Sequence, residues 1–329
     1  MFTRACNMTA SITLRDLYRA RAAITPYSCP TPLRHSPTLS KRVGRAVSIK
    51  WENQQETGSF KLRGAANRLH NLPAAARQQG VVTVSTGNHG RGLAYVAQQM
   101  GIRAVICVPE LVLPHKIAAM RQLGAEVVVH GRTQDDAERH AATLVEREGL
   151  TLVSAFDDPD IIAGQGTIGL EILEACPGVA TVVVPLSGGG LLSGIALALK
   201  AADPRIRTIG VSQARGPAMA LSLQAGHPVP VVEEPSLADS LLGGIGLENH
   251  HTLRLIRELV DEIVLLEEDE IAAAMRYALR YERQVLEGGG SVGIGALLAA
   301  KGTLVGEQIV VVASGGNVEM EKLLALAGE

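Results

Sequence analysis

The chain holds only seven lysines among 31 basic residues, and Lys61 stands in the most distinctive setting: Thr57 to Ala65 reads TGSFKLRGA. Thr57, Gly58 and Ser59 have the composition of a helix entry, and Ser59 is spaced to cap a helix through FKLRGAANRLHNL. Lys61 would then occupy the first turn, where the helix dipole disfavours a cation. A partly desolvated amine in that field has a lowered pKa, and the neutral amine is the nucleophile that forms a Schiff base. These residues alone leave two readings open, a surface cation and a reactive amine. Lys41, Lys116, Lys200, Lys301 and Lys322 fall in charged or helical patterns and read as solvated. Lys50, beside Trp51 at a strand end, is a weaker second candidate.

A second stretch, VVVPLSGGGLLSG, passes from an apolar strand through Ser187, Gly188, Gly189 and Gly190 into a helix starting near Leu191. Glycines let backbone amides approach an anion, and a helix N-terminus adds the positive end of its dipole. A phosphate site and a purely structural tight turn both fit. A dinucleotide loop does not, because the last glycine of that pattern is replaced by Ser193, and the strand that should end in an acid ends at Gln213. A P-loop fails too, since Gly190 is followed by Leu191 and Leu192 instead of Lys and Ser or Thr. The phosphate of a smaller cofactor remains.

The elements that must position these groups follow one grammar. An apolar β-branched run, a glycine-containing turn and a helical pattern recur in VVTVSTGNHGRGLAYVAQQMG, RAVICVPELVLPHKIAAMRQLG and EVVVHGRTQDDAERHAATLVEREG. Continuously apolar strands are buried on both faces and are joined by parallel crossovers, which predicts an α/β fold of open, mainly parallel twisted sheets flanked by helices. The grammar resumes after residue 180, so two sheets are expected. Residues 53–148 would form a small domain, and residues 1–52 and 149–329 a discontinuous large one, if AVSIKWEN and IVVVAS share a sheet. Ligands of such sheets gather beyond the carboxyl ends of the strands, which singles out the loops 85–90, 186–190 and 314–317.

Composition narrows the partners. A formal charge of -2 with no long basic block gives no reason to expect nucleic acid. No apolar run reaches the ~18 residues of a membrane span. Cys6, Cys29, Cys107 and Cys176 lack C-x-x-C spacing, which fits a reducing cytoplasm better than a disulfide framework or a zinc site. The opening residues lack the apolar core of a secretory signal and read as untargeted. A small-molecule substrate is the expected partner.

GSFKLRGA, STGNHGRGLA, PLSGGGLLSG and SGGN, in this order, resemble the threonine dehydratase and serine racemase family of pyridoxal-phosphate enzymes, the second structural type (tryptophan synthase β-like). The likeness runs from about Tyr18 to Leu324 and includes FDDPDIIAGQGTIGLEIL. It implies pyridoxal 5'-phosphate held on Lys61 as a Schiff base, with Phe60 beside its ring and Asn88 on the ring hydroxyl. Ser187, Gly188, Gly189, Gly190 and Leu191 would bind the phosphate, and Ser314 would meet the pyridine nitrogen. Ser85, Thr86, Gly87, Asn88 and His89 would present amides and side chains to the substrate carboxylate. The implied activity is a lyase reaction: Lys61 removes the Cα proton, the β-hydroxyl leaves, and a 2-keto acid and ammonia result. A homodimer is common in the family.

Departures from the pattern refine the expectation. Serine racemases carry a serine where this chain has Thr86, which favours elimination over racemisation. Gln213, Pro217 and Met219 stand where relatives place acidic metal ligands, so no metal is expected there. The chain ends soon after SGGNVEM, without the regulatory domain of biosynthetic threonine dehydratases. His89 argues against β-replacement. STGNHGR also resembles dehydratases of hydroxyectoine utilisation, whose substrate would be a 3-hydroxy-2,4-diaminobutyrate derivative. The alternatives are an amino acid racemase and a non-catalytic binder of the cofactor or an amino acid. Glu267, Glu268 and Glu270 read as the start of a helix, Glu248 to His251 as surface, and Glu287 as a carboxylate that could approach the cofactor ring.

Overall fold

The computed structural model describes residues 12–328; Cys6 and the opening segment lie outside the described residues. The chain builds strands β1 (Leu33–His35), β2 (Ala46–Trp51), β3 (Val81–Val84), β4 (Ala104–Val108) and β5 (Glu126–Val129). It continues with β6 (Thr151–Leu152), β7 (Thr181–Pro185), β8 (Arg207–Gln213), β9 (Glu262–Leu266) and β10 (Gln308–Ala313). One sheet has the order β1-β2-β10-β7-β8-β9 and the other β5-β4-β3-β6. All pairings are parallel except β1 with β2.

The early and late strands do share a sheet, with Ala46 opposite Gln308 and Trp51 opposite Ala313. Alternation along β10 shows why its whole run is apolar. Ile309, Val311 and Ala313 join one core layer with Val47, Ile49 and Trp51, whereas Val310 and Val312 join another with Val182 and Val184. A parallel strand covered by helices on both faces has no solvent side to make polar. Strands β1 and β9 were not part of the repeating pattern; both are short edge strands.

Two glycine contacts decide how the helices seat. A Cβ on Gly164 would come within 2.6 Å of the Arg63 carbonyl, and one on Gly194 would overlap the Ile162 carbonyl. The helices Lys61–His70 and Gly190–Ala202 can therefore both lie directly against the buried helix Pro159–Ala175. The lysine and the glycine loop are thus carried on opposite flanks of one central helix.

Candidate active site

Lys61 is the first residue of its helix, and Phe60 is the cap, in helical geometry with no side-chain cap bond. The expected Ser59 cap is not formed. The Ser59 backbone bridges to Gly315, and its buried Oγ finds no partner in the protein. Pairing with the loop after β10 holds Ser59 in extended geometry and takes its hydroxyl off the helix axis. That pairing also brings Ser314 to Lys61, since the Phe60 N–H donates to the Ser314 carbonyl at 3.1 Å. Gly316 N–H donates to Gly58 O at 2.9 Å. The half-buried Lys61 amine donates to the Ala155 carbonyl at 2.7 Å and lies 5.2 Å from the centre of the Phe60 ring.

The loop after β3 enters from the other sheet. Ser85 Oγ accepts from the N–H of Gly87 at 3.3 Å and of Gly90 at 3.0 Å, shaping the entry to helix Asn88–Met100. Thr86 and Gly87 lie half-buried between them, and His89 is buried. The Asn88 amide is oriented by two partners: its Oδ1 accepts from Asn317 Nδ2 at 2.6 Å, and its Nδ2 donates to Glu287 Oε1 at 2.6 Å. Asn317 Nδ2 also reaches Thr57 O at 2.8 Å. Since an amide nitrogen carries two hydrogens, Asn88 keeps one N–H for a further acceptor.

The glycine loop closes the third side. Gly189 has φ 91°, a backbone geometry that side chains disfavour, and the helix begins at Gly190, one residue earlier than expected. A Cβ on Gly188 would overlap the Phe156 ring, and one on Gly190 would stand 2.8 Å from Phe156 O. Phe156 follows Ala155, the residue that receives the Lys61 hydrogen bond, so Lys61 and this loop face each other across two adjacent residues. The first N–H groups of a helix have no intrahelical partner, so Gly190 and Leu191 can serve an anion. Ser187 remains half-buried at the mouth of the loop, and Ser314 is buried beside Gly290.

Burial sets the electrostatics. Desolvation lowers the Lys61 amine to about 8, against the opposing pull of Glu287. His89 falls to about 3, again through burial first and then through the Lys61 charge, so its ring is neutral. The Glu287 carboxyl rises to about 7 because it is buried and faces Asp239, while hydrogen bonds from Ser240 and Asn88 oppose the rise. An amine and a carboxyl that both titrate near neutrality can exchange roles as proton holder with small changes in surroundings. Among the described residues no three His, Cys, Asp or Glu side chains gather to hold a metal. Gln213 is engaged with Ser212 and Leu241, and Met219 is in the core.

A family model for pyridoxal-phosphate dependent enzymes matches residues 24–315. An L-threonine ammonia-lyase of Thermotoga maritima is 40% identical over 95% of this chain and 77% of its own length. The catabolic L-threonine dehydratase of Escherichia coli K12 is 36% identical over 96% of each chain. The chain belongs to the pyridoxal-phosphate enzymes of the threonine dehydratase and ammonia-lyase family. Among solved structures, maize serine racemase superposes on this pyridoxal-phosphate enzyme with a TM-score of 0.90, at 31% identity, over 96% of this chain and 97% of the other. The two parallel sheets with flanking helices are the second structural type of that cofactor class.

The residues of this pyridoxal-phosphate enzyme suit the cofactor. Gly188 and Gly190 let the loop backbone pass directly against Phe156, where any Cβ would collide, and the buried Ser59 hydroxyl, two residues before Lys61, lacks a protein partner. Sequence reasoning undervalued Glu287 and did not single out Ala155, Phe156 or Asn317. The SGGN motif pointed toward Asn317 and FDDPDIIAGQGTIGLEIL begins at Phe156, whose ring and carbonyl both back the glycine loop; the contribution of Ala155 comes from its carbonyl, which carries no residue signature.

Three of the five lysines read as solvated carry a carboxylate partner while staying partly exposed. Lys200 binds Asp261 at 2.8 Å, Lys301 binds Glu270 at 2.6 Å, and Lys116 lies 3.7 Å from Asp239. Each partner is more than thirty residues away in sequence, out of reach of a local pattern.

Proposed function

We propose that this protein is a lyase that removes the β-hydroxyl and the α-amino group of a threonine-like hydroxy amino acid, releasing a 2-keto acid and ammonia. Pyridoxal phosphate, when bound, supplies the electron sink that makes the substrate Cα proton acidic. The observation that carries the reading is the Lys61 amine, half-buried, lowered to about 8 and facing the glycine loop through Ala155 and Phe156. A neutral amine at that position can hold the cofactor and later accept the Cα proton.

The remaining roles are those the family resemblance implies. Ser187, Gly188, Gly189, Gly190 and Leu191 hold the phosphate on backbone N–H groups. Asn88, with one N–H free, would serve the ring oxygen, Phe60 would lie beside the ring, and Ser314 would serve the pyridine nitrogen. A serine there does not hold that nitrogen protonated, which weakens the sink and favours elimination over transamination. Ser85, Thr86, Gly87, Asn88 and His89 surround the substrate carboxylate. With His89 neutral, the anchoring falls to N–H groups and shape instead of charge.

Racemisation is the second reading, supported by the likeness to maize serine racemase and weakened by Thr86 in place of serine. A 3-hydroxy-2,4-diaminobutyrate derivative belongs in the substrate set because STGNHGR resembles the hydroxyectoine-utilisation enzymes. The parallel pairing of β2 with β10 supports a discontinuous cofactor domain, 1–52 with 149–329, around a domain of 53–148, except that β6 (Thr151–Leu152) pairs with β3 and carries the smaller sheet past residue 149. Free Cys29, Cys107 and Cys176 support a cytoplasmic location, and family membership supports a homodimer. No described helix is long and apolar enough to cross a membrane.

Borohydride reduction followed by peptide mapping tests the core of the proposal. The cofactor should be fixed on Lys61, and Lys61→Ala should keep its fold while losing both the label and ammonia release from L-threonine. Retained turnover in Lys61→Ala would overturn the assignment, and D-enantiomer formation without ammonia in the parent would select the racemase.

A further inference from the structure

We propose that Arg63 is a positioning residue for Lys61, locking the first turn of the lysine-bearing helix so that the amine stands at a fixed place and depth. This deepens the reading above and rests on Lys61 being the cofactor lysine. Arg63 is a fully buried side chain, 1% exposed, on the same helix two residues after Lys61. Residues two apart on a helix project to nearly opposite sides. Arg63 accordingly points into the protein behind the site, while Lys61 faces Ala155.

Arg63 uses its whole donor set. Nε and Nη2 form a fork on Glu52 at 2.8 and 2.9 Å, and Nη1 reaches Thr167 Oγ1 at 3.1 Å. Nη1 and Nη2 form a second fork on Glu171, the latter at 2.9 Å. Glu171 also binds the ammonium of Lys50, which in turn donates to Thr31 O at 2.6 Å. Glu52 is 0% exposed and Glu171 13% by side chain. Two cations and two carboxylates leave the cluster neutral, so it adds little net field at Lys61.

Buried ion pairs are poor sources of stability, because apolar residues of the same volume pack at least as well. What the two planar forks supply is direction: they fix the angle of one helix against Glu52, which follows β2, and against helix Pro159–Ala175. The glycine contact at Gly164 leaves no slack between those helices. A helix so held cannot slide, and the desolvation of Lys61 depends on where that helix ends. The charged or titratable groups facing the amine are Glu287 and His89, neither of which touches Arg63.

The test uses the full-length chain, stripped of cofactor and mixed with pyridoxal phosphate. The rate of growth of the visible absorption band is followed against pH, with borohydride mapping of the modified lysine. The parent should show a midpoint near 8, set by the Lys61 amine. Arg63→Lys keeps the charge and loses the forks; its midpoint should rise by about one unit toward an ordinary lysine, slowing attachment at pH 7.5 about 10-fold. Thr167→Val removes one acceptor of Arg63 together with the hydroxyl's own bond to Gly164 O at 2.7 Å, and should shift the midpoint the same way by less. An Arg63→Lys protein that folds and keeps the parent's midpoint and rate overturns the proposal. So does an unshifted Thr167→Val if Arg63→Lys fails to fold, because Arg63 would then be structural only. Failure of the underlying reading looks different: the parent's label would lie on another lysine.

Discussion

Replacing Glu287 by glutamine should make the protein more stable at pH 8 and less active, and the size of the gain can be worked out from the site. The carboxyl is 5% exposed and titrates at about 7 instead of the ordinary 4.5. Holding its charge therefore costs about 3 kcal/mol, from ~2.5 units at ~1.36 kcal/mol each. The folded state binds a proton more tightly than the unfolded state, so this group's contribution is fully present below pH 4.5 and is lost as pH rises through 7. Glutamine keeps an oxygen for the Asn88 N–H and cannot ionise. Urea unfolding of the two proteins between pH 4 and 8 should give a difference in stability that grows by about 3 kcal/mol across that range, whatever the offset at pH 4. Contributions from all other groups cancel in the difference except those coupled to Glu287, which are Asp239, Lys116, Arg91 and Lys61; the Lys61 amine should drop below about 8 without the opposing carboxylate. Parallel profiles would refute the claim that Glu287 carries a buried, costly charge.

Two other substitutions test the cradle and the amide chain. Gly190→Ala places a methyl 2.8 Å from Phe156 O and 3.0 Å from its Cα, and an overpacking cost of about 1–3 kcal/mol should weaken pyridoxal phosphate binding roughly 10- to 100-fold. An absorbance titration giving an unchanged Kd would remove the loop from the cofactor site. Asn317→Ala deletes the donor to Asn88 Oδ1 and Thr57 O, at about 1 kcal/mol per bond, and should lower kcat of ammonia release about 5- to 30-fold with the melting temperature little changed. Asn317→Asp should be worse still, since a carboxylate would face two oxygens. Equal activity of the two variants would show that Asn317 does not orient Asn88.

Several features were readable from local chemistry because a local backbone demand wrote them. Three successive glycines at 188–190 mark a place where backbone must approach something closely, and the structure shows Phe156 filling the space that side chains would take. The apolar runs of β3, β4, β7 and β10 mark strands with no wet face. The entry to the Lys61 helix was half legible: the helix starts one residue later than expected, at Lys61, and Ser59 answers to Gly315 across 256 residues of chain and not to the helix it precedes.

The sequence by itself determined the parallel α/β architecture and marked Lys61 and the glycine loop as candidates, because periodicity, glycine and helix-end chemistry are properties of neighbouring residues; the choice of reactive amine over surface cation, and of phosphate site over tight turn, rested on the family resemblance. Tertiary structure decided the protonation states and the aim of each group. Glu287 meets Asn88 across 199 positions, and Arg63 meets Glu171 across 108. Desolvation and pairing arise only when such distant segments close on one another, so no local pattern could assign Lys61 a pKa of about 8 or Glu287 one of about 7.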